Sequence, residues 1–84
     1  MGPRLTWRES VAAAVTRLTR RLGRRTFSRE ELLRSELSRI VSETRSEGQT
    51  PWQTLSRVLQ ELRDSDQLDF VAPGQYRALK DELR

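Results

Sequence analysis

The chain has 84 residues and a hydrophobic content of 35%, which is enough for one core but not for two. It contains no cysteine and no histidine, which excludes disulfides, zinc sites built from those residues, thiol nucleophiles and histidine acid–base chemistry. Sixteen basic residues against twelve acidic ones give a net charge of +4, and every basic residue except Lys80 is arginine.

The sequence has no segment typical of membrane insertion or secretion. The longest apolar run, residues 11–15, is far shorter than a membrane span. Residues 1–4 do not begin an apolar signal region. We therefore expect a cytoplasmic protein that does not bind membranes.

The first predicted helix begins after a capping box. Thr6 is the N-cap, and Glu9, three residues later, can bond back to the backbone of Thr6. Gly23 is the expected C-terminal cap, since glycine adopts the left-handed conformation easily. Apolar residues at helical spacing form one predicted inward face: Val11, Ala14, Val15, Leu18 and Leu22.

A short strand and a second helix follow. Thr26–Phe27 is a plausible minor strand that joins a later hairpin. Ser28 and Glu31 form the second capping box. The predicted inward face of this helix consists of Leu33, Leu37, Ile40 and Val41. Residues 42–49 are polar and contain a glycine, which predicts a loop.

The third predicted helix starts with Thr50 as N-cap and Pro51 at the first helical position, where proline is favoured. Gln53 can complete a third capping box. Apolar residues recur at i, i+3, i+4 and i+7 and form one stripe: Leu55, Val58, Leu59 and Leu62. Ser65–Asp66 is expected to end this helix.

A two-stranded hairpin is predicted after the third helix. Leu68 and Phe70 alternate with polar or smaller residues, Pro73–Gly74 predicts a type II turn, and residues 76–79 form the returning strand. Three helices and a hairpin indicate a mainly α protein with a small β-hairpin, the three-helix winged helix-turn-helix.

We expect this fold to occupy the whole chain, 1–84, as a single domain with an ordered core at about residues 5–80. Winged helices commonly bind DNA, and double-stranded DNA is the predicted partner.

The charges are unevenly distributed along the chain. Residues 1–29 contain eight arginines and one acid, a net charge of +7, whereas the remainder has a net charge of −3. Five arginines, which we call the arginine cluster, crowd the end of the first helix: Arg17, Arg20, Arg21, Arg24 and Arg25. Cations also stabilise a helix C-terminus, so two interpretations stay open, a solvated face and a phosphate-binding patch.

Under the second interpretation, an anion would relieve the repulsion among the clustered arginines. Arginine suits this role because its planar fork matches phosphate geometry, although a GC-rich genome also enriches arginine. The predicted contacts to the DNA backbone are Arg20, Arg21, Arg24, Arg25, Thr50 and Arg77.

The side of the third helix opposite its apolar stripe is polar. Glutamine pairs with the N6/N7 edge of adenine and arginine with guanine O6/N7, and residues near a helix N-terminus usually reach the bases. The predicted base-contacting residues are Trp52, Gln53, Thr54, Ser56, Arg57 and Gln60, with Asp64 on the same face. Gln53 has the alternative role of completing the helix cap.

Trp52 lies at the edge between the apolar stripe and the polar face. It can seal the rim of the core as an amphipathic ring, or it can be an exposed contact for a base methyl group. Trp7, just after the first N-cap, has the same two interpretations.

Residues 50–79 resemble the C-terminal winged-helix domain of the Dam-replacing family of methyl-directed restriction endonucleases. The resemblance is carried by the helix end LQELRDSDQLDF and by the G-x-Y-R wing in PGQYRAL. It implies recognition of N6-methyladenine sites, with the nuclease domain located in a longer parent protein. The residues that it assigns are Trp52, Gln53, Thr54 and Arg57 on the helix and Gly74, Gln75 and Arg77 in the wing.

The chain departs from this family in two respects. Pro73 and Gln75 stand where basic residues are common, and three acids, Asp64, Asp66 and Asp69, surround the helix–strand junction. We therefore expect the wing to contribute little to phosphate binding. The nuclease module is absent, and the Asp64/Asp66 pair lacks an E-x-K partner, so we expect no enzyme activity, no catalytic or metal site and no cofactor.

Two other functions stay open. Many winged helices bind proteins, and the acidic half of the chain, residues 43–84, is consistent with a protein-interaction module. A transcription regulator without methyl specificity would have the same sequence features.

Overall fold

A computed structural model of the protein describes residues 5–45 and 51–84. Within them, the elements in chain order are α1 (Trp7–Leu22), β1 (Thr26–Ser28), α2 (Arg29–Thr44), α3 (Pro51–Asp64), β2 (Leu68–Ala72) and β3 (Gln75–Ala78). The strands form one antiparallel sheet in the order β1-β3-β2. This is the predicted α+β winged helix, including the minor first strand. Thr50 and the predicted loop residues 46–49 lie outside the described residues.

Both capping boxes that fall within the described residues are formed. The Thr6 hydroxyl accepts from the Glu9 N–H at 3.1 Å, and the Thr6 N–H donates to the Glu9 carboxylate at 2.9 Å. Ser28 and Glu31 make the same pair of bonds at 3.0 and 2.8 Å. These backbone donors lower the pKa of Glu9 and of Glu31. Gly23, at φ 70°, ends α1 in the left-handed conformation, as predicted.

The core lies between the helices and one face of the sheet. The predicted apolar stripe of α3 is fully buried, and so is the predicted face of α1 except for Leu22, which packs against the core half-exposed. Phe27 of β1 and Tyr76 of β3 close the core on the sheet side. Leu83 is also buried, so the core extends past the end expected near residue 80.

The predicted inward face of α2 was largely wrong. Its buried residues follow an i, i+4 row: Leu32, Glu36, Ile40 and Thr44. Of the predicted set only Ile40 is buried, while Leu33, Leu37 and Val41 are half-buried. The physical reason is that Glu36 faces α1, where the Arg17 guanidinium donates to its carboxylate at 2.6 and 3.0 Å.

The end of α2 also differs from the prediction. Residues 42–44, which were predicted as loop, continue the helix, and Arg45 terminates it at φ 52°. The Thr44 hydroxyl donates to the Ile40 carbonyl at 2.8 Å, so this polar residue is buried without losing its hydrogen bond.

An aromatic row crosses the sheet. Phe27 and Phe70 both pair with Tyr76 in the strand register, and both rings contact the Tyr76 ring, at centroid distances of 5.7 and 6.0 Å. Phe27 and Phe70 lie on the two opposite edge strands of the sheet, but Phe27 is 1% exposed and Phe70 is 46% exposed. Its alternation with Leu68 therefore does not place it inside the core. Gly74, at φ 72°, lies in the turn of the hairpin.

Candidate nucleic-acid interface

The polar side of α3 faces outward, as its helical spacing predicts. Gln53, Arg57, Gln60 and Asp64 are exposed opposite the buried stripe. The Gln60 amide donates to the Asp64 carboxylate at 3.1 Å, so part of its hydrogen-bonding capacity is used within the helix. Arg57 makes no hydrogen bond or ion pair with another described residue, and its guanidinium is available to a ligand.

The first turn of α3 combines an amide with an exposed aromatic ring. The side chain of Gln53 is exposed and makes no hydrogen bond to another described residue. Its alternative capping role would involve Thr50, which lies outside the described residues. Trp52 is 58% exposed, which does not fit the interpretation of a ring that seals the core. Trp7, in contrast, packs against the core. Thr54 is half-buried on the flank of the helix.

Arg29 is a candidate that the sequence interpretation missed. It is the first residue of α2, and its guanidinium donates to the Ser56 hydroxyl of α3 at 3.1 Å. The Ser56 hydroxyl in turn donates to the Trp52 carbonyl at 3.0 Å. The Arg29 backbone N–H donates to the Gly74 carbonyl in the wing turn at 2.9 Å. Arg29 therefore joins the start of α2, the wing and the edge of α3.

A sequence signal for Arg29 existed. It follows the N-cap Ser28 directly, and a cation in the first turn of a helix opposes the helix dipole. Such an unfavourable placement can indicate that the arginine contacts another element of the fold or a ligand. The contact with Ser56, 27 residues away, could not be inferred from local spacing.

The wing carries little free positive charge. Arg77, a predicted backbone contact, donates to the Asp69 carboxylate across the strand pair at 2.8 Å. The Arg63 guanidinium lies over the Phe70 ring, 5.6 Å from its centroid. Gly74 is half-buried and Gln75 is exposed at the turn. Arg77 is thus paired within the wing, and the expectation that the wing adds little to phosphate binding stays a prediction.

Most of the arginine cluster is paired within the protein. Its carboxylate partners are Glu36 for Arg17 and Arg21, at 2.6 and 3.9 Å, Glu31 for Arg24, at 2.9 Å, and Asp81 for Arg25. Arg20 is the one cluster member without an ion pair to another described residue. The repulsion that suggested an external anion is thus largely relieved by internal acids.

No protein-family model matches the chain, and searches of curated proteins and of solved structures found no match. The winged-helix architecture therefore rests on the elements and topology of this chain, and the resemblance to the Dam-replacing family stays a prediction. Within residues 5–45 and 51–84, no three acidic side chains converge on a possible metal position. None of the described helices is long and apolar enough to cross a membrane.

Proposed function

We propose that the protein is a DNA-binding winged-helix module that places α3 in the major groove. The observation that carries this proposal is the exposed side of α3, where Arg57 and Gln53 have no partner among the described residues. A guanidinium and an amide can pair with guanine and adenine edges, and each bidentate pair contributes about 1–3 kcal/mol of discrimination. Arg29 lies at the edge of this face and supplies a second cation beside it.

The finer part of the proposal is a preference for N6-methyladenine sites, as the specificity domain of a methyl-directed restriction system. N6-methylation leaves one N6 hydrogen on adenine and adds a methyl group in the major groove. Gln53 would accept the remaining N–H, and the exposed Trp52 ring would contact the methyl group. Burying one methyl group contributes only about 0.8 kcal/mol, so we expect a several-fold preference for each site.

A protein-interaction module is the second candidate. It is favoured by the exposed apolar residues of the wing, Phe70 at 46% and Val71 at 53%, and by the internal pairing of Arg77. Val71 lies in an irregularity of the β2–β3 register and has no cross-strand partner. Under this alternative, changes on α3 would leave partner binding intact, whereas changes at Phe70 and Val71 would abolish it.

Binding to a labelled duplex, first selected from a random-sequence pool with this protein, tests the proposal. Arg57→Ala should weaken the affinity by about 1–3 kcal/mol and leave the fold intact, because its side chain points away from the core. Arg34→Ala is the matched control, since Arg34 is exposed on α2 and unpaired among the described residues. Equal effects of the two variants would mean that only net charge matters and would contradict the placement of α3.

The same titration at two salt concentrations separates electrostatic from other contributions. Each phosphate contact lowers log K by about 0.9 per decade of salt.

Duplexes with and without N6-methyladenine test the finer proposal, with Trp52→Ala as the variant that should remove the preference. Selection that enriches no duplex would reject DNA binding itself.

A further inference from the structure

A second positively charged site lies at the C-terminal end of α1. A cleft there is lined by Thr19, Arg20, Gly23, Arg24, Arg25 and Asp81. Three arginines and one acid thus line one small cleft. The lining residues belong to α1, the turn after it and the segment after β3, and none of them is a residue of the proposed base-contacting face.

The carboxylate in the cleft is carried by the chain segment after β3, residues 79–84. Three hydrogen bonds anchor this segment before and after Asp81. The Leu79 N–H donates to the Gln67 carbonyl at 3.0 Å, the Leu83 N–H donates to the Thr16 hydroxyl at 3.0 Å, and the Arg84 N–H donates to the Gln67 side chain at 3.1 Å. Leu83 is buried in the core. The anchoring places Asp81 against Arg25, yet the Asp81 side chain is 89% exposed.

The charges of the cleft are not balanced. Arg25 forms an ion pair with Asp81, and Arg24 forms one with Glu31 of α2 at 2.9 Å. Arg20 has no partner among the described residues. The Arg25–Asp81 pair is solvent-exposed, and such pairs contribute little to stability, so a stronger anion can replace the carboxylate.

We propose that this cleft binds a phosphate monoester group, which displaces Asp81 from Arg25. A backbone phosphodiester carries one negative charge and keeps two unesterified oxygens, so it satisfies fewer of the three arginines than a monoester does. A monoester carries about 1.5 to 2 negative charges at neutral pH and has three acceptor oxygens, which match several guanidinium forks. The group comes either from a free phosphorylated small molecule or from the terminal phosphate of a nucleic acid.

Titration of the full chain with inorganic phosphate at constant ionic strength tests the site without DNA. Amide and arginine Nε–H NMR signals of Gly23, Arg24 and Arg25 should shift saturably, and Arg20→Ala should weaken this binding. Asp81→Asn should tighten it about two- to fivefold, since it removes the exposed competing pair. Glu82→Gln is the matched control, because it removes the same charge from a neighbouring exposed residue without a described ion pair.

Two results would overturn the proposal: no saturable shift in either the parent or Asp81→Asn, or the same tightening in Asp81→Asn and Glu82→Gln. A comparison of duplexes with a 5′-phosphate and a 5′-hydroxyl then identifies the source. If the cleft signals shift with the 5′-phosphate duplex and not with the 5′-hydroxyl duplex, the source is a nucleic-acid end. If they shift with free phosphate and with neither duplex, the source is a small molecule. Because the first titration contains no DNA, its outcome is independent of whether α3 binds DNA.

Discussion

The end of α1 and the outward face of α3 differ in how many of their arginines are already paired with carboxylates of the same chain. The arginine cluster concentrates five cations in nine residues, but four of them lie against carboxylates of the same chain. The outward face of α3 has one cation, Arg57, and that residue has no partner among the described residues. The density of charge along a sequence therefore does not measure the charge that a ligand encounters.

Burial explains part of this difference. Glu36 is 6% exposed, so its carboxylate needs the Arg17 guanidinium to compensate for lost hydration. Part of the cluster thus supports the α1–α2 interface. The outward face of α3 contains no buried acid, and its cation is not required by the fold.

The largest effect that we expect is on the free energy of unfolding, and it tests whether the arginine cluster supports the fold. Arg17→Ala leaves the buried Glu36 carboxylate without its hydrogen bonds and should lower the free energy of unfolding by about 2 kcal/mol. Arg21→Ala, the control on the same helix, removes a side chain that is 57% exposed and 3.9 Å from Glu36, and should cost less than about 0.5 kcal/mol. Urea unfolding followed by circular dichroism measures both variants.

Replacing both partners of the pair sharpens this test. Arg17→Ala combined with Glu36→Leu should recover much of the lost stability, because no charge is then left buried. If Arg17→Ala and Arg21→Ala lower the free energy of unfolding by the same amount, the Arg17–Glu36 pair does not stabilise the fold and the cluster is a solvated face.

A smaller effect is expected in DNA affinity. Arg29→Ala should weaken duplex binding by about 1 kcal/mol, whereas Arg24→Ala should change it by less than about 0.5 kcal/mol, because Arg24 would first have to leave Glu31. Fluorescence anisotropy with the selected duplex measures the difference. A larger loss for Arg24→Ala would place the arginine cluster at the DNA backbone, as the sequence interpretation had it.

The smallest effect concerns pH. The hydroxyl of buried Ser10 donates to Glu43 at 2.8 Å and, with Arg39, lowers the pKa of that carboxyl, as the caps do for Glu9 and Glu31. These groups bind protons less readily in the folded state than in the unfolded state. Their stabilisation is therefore complete above the ordinary value of 4.5 and is lost as the pH falls through the lowered pKa values.

Urea midpoints at about pH 7 and about pH 3.5 measure this loss. Glu43→Gln should be less stable than the parent at the higher pH and closer to it at the lower pH. A gap between the two proteins that does not shrink in acid would show that Glu43 acts through its shape and not through its charge.

The features of the fold that were predicted correctly are mostly local. The two described capping boxes, the glycine end of α1, the buried stripe of α3 and the hairpin turn depend on contacts within a few residues or on helical periodicity. The outward direction of Gln53 and Arg57 followed from the same periodicity.

The pairing of the charges depends on tertiary contacts. Glu36 is buried against Arg17, which lies 19 residues earlier, and the buried row of α2 includes this acid in place of the predicted Leu33, Leu37 and Val41. Asp81 reaches Arg25 across 56 residues, and Phe70 of one edge strand is exposed although Phe27 of the other edge strand is buried. Contacts between residues so far apart leave no spacing pattern in the sequence, since they depend on how separate elements pack.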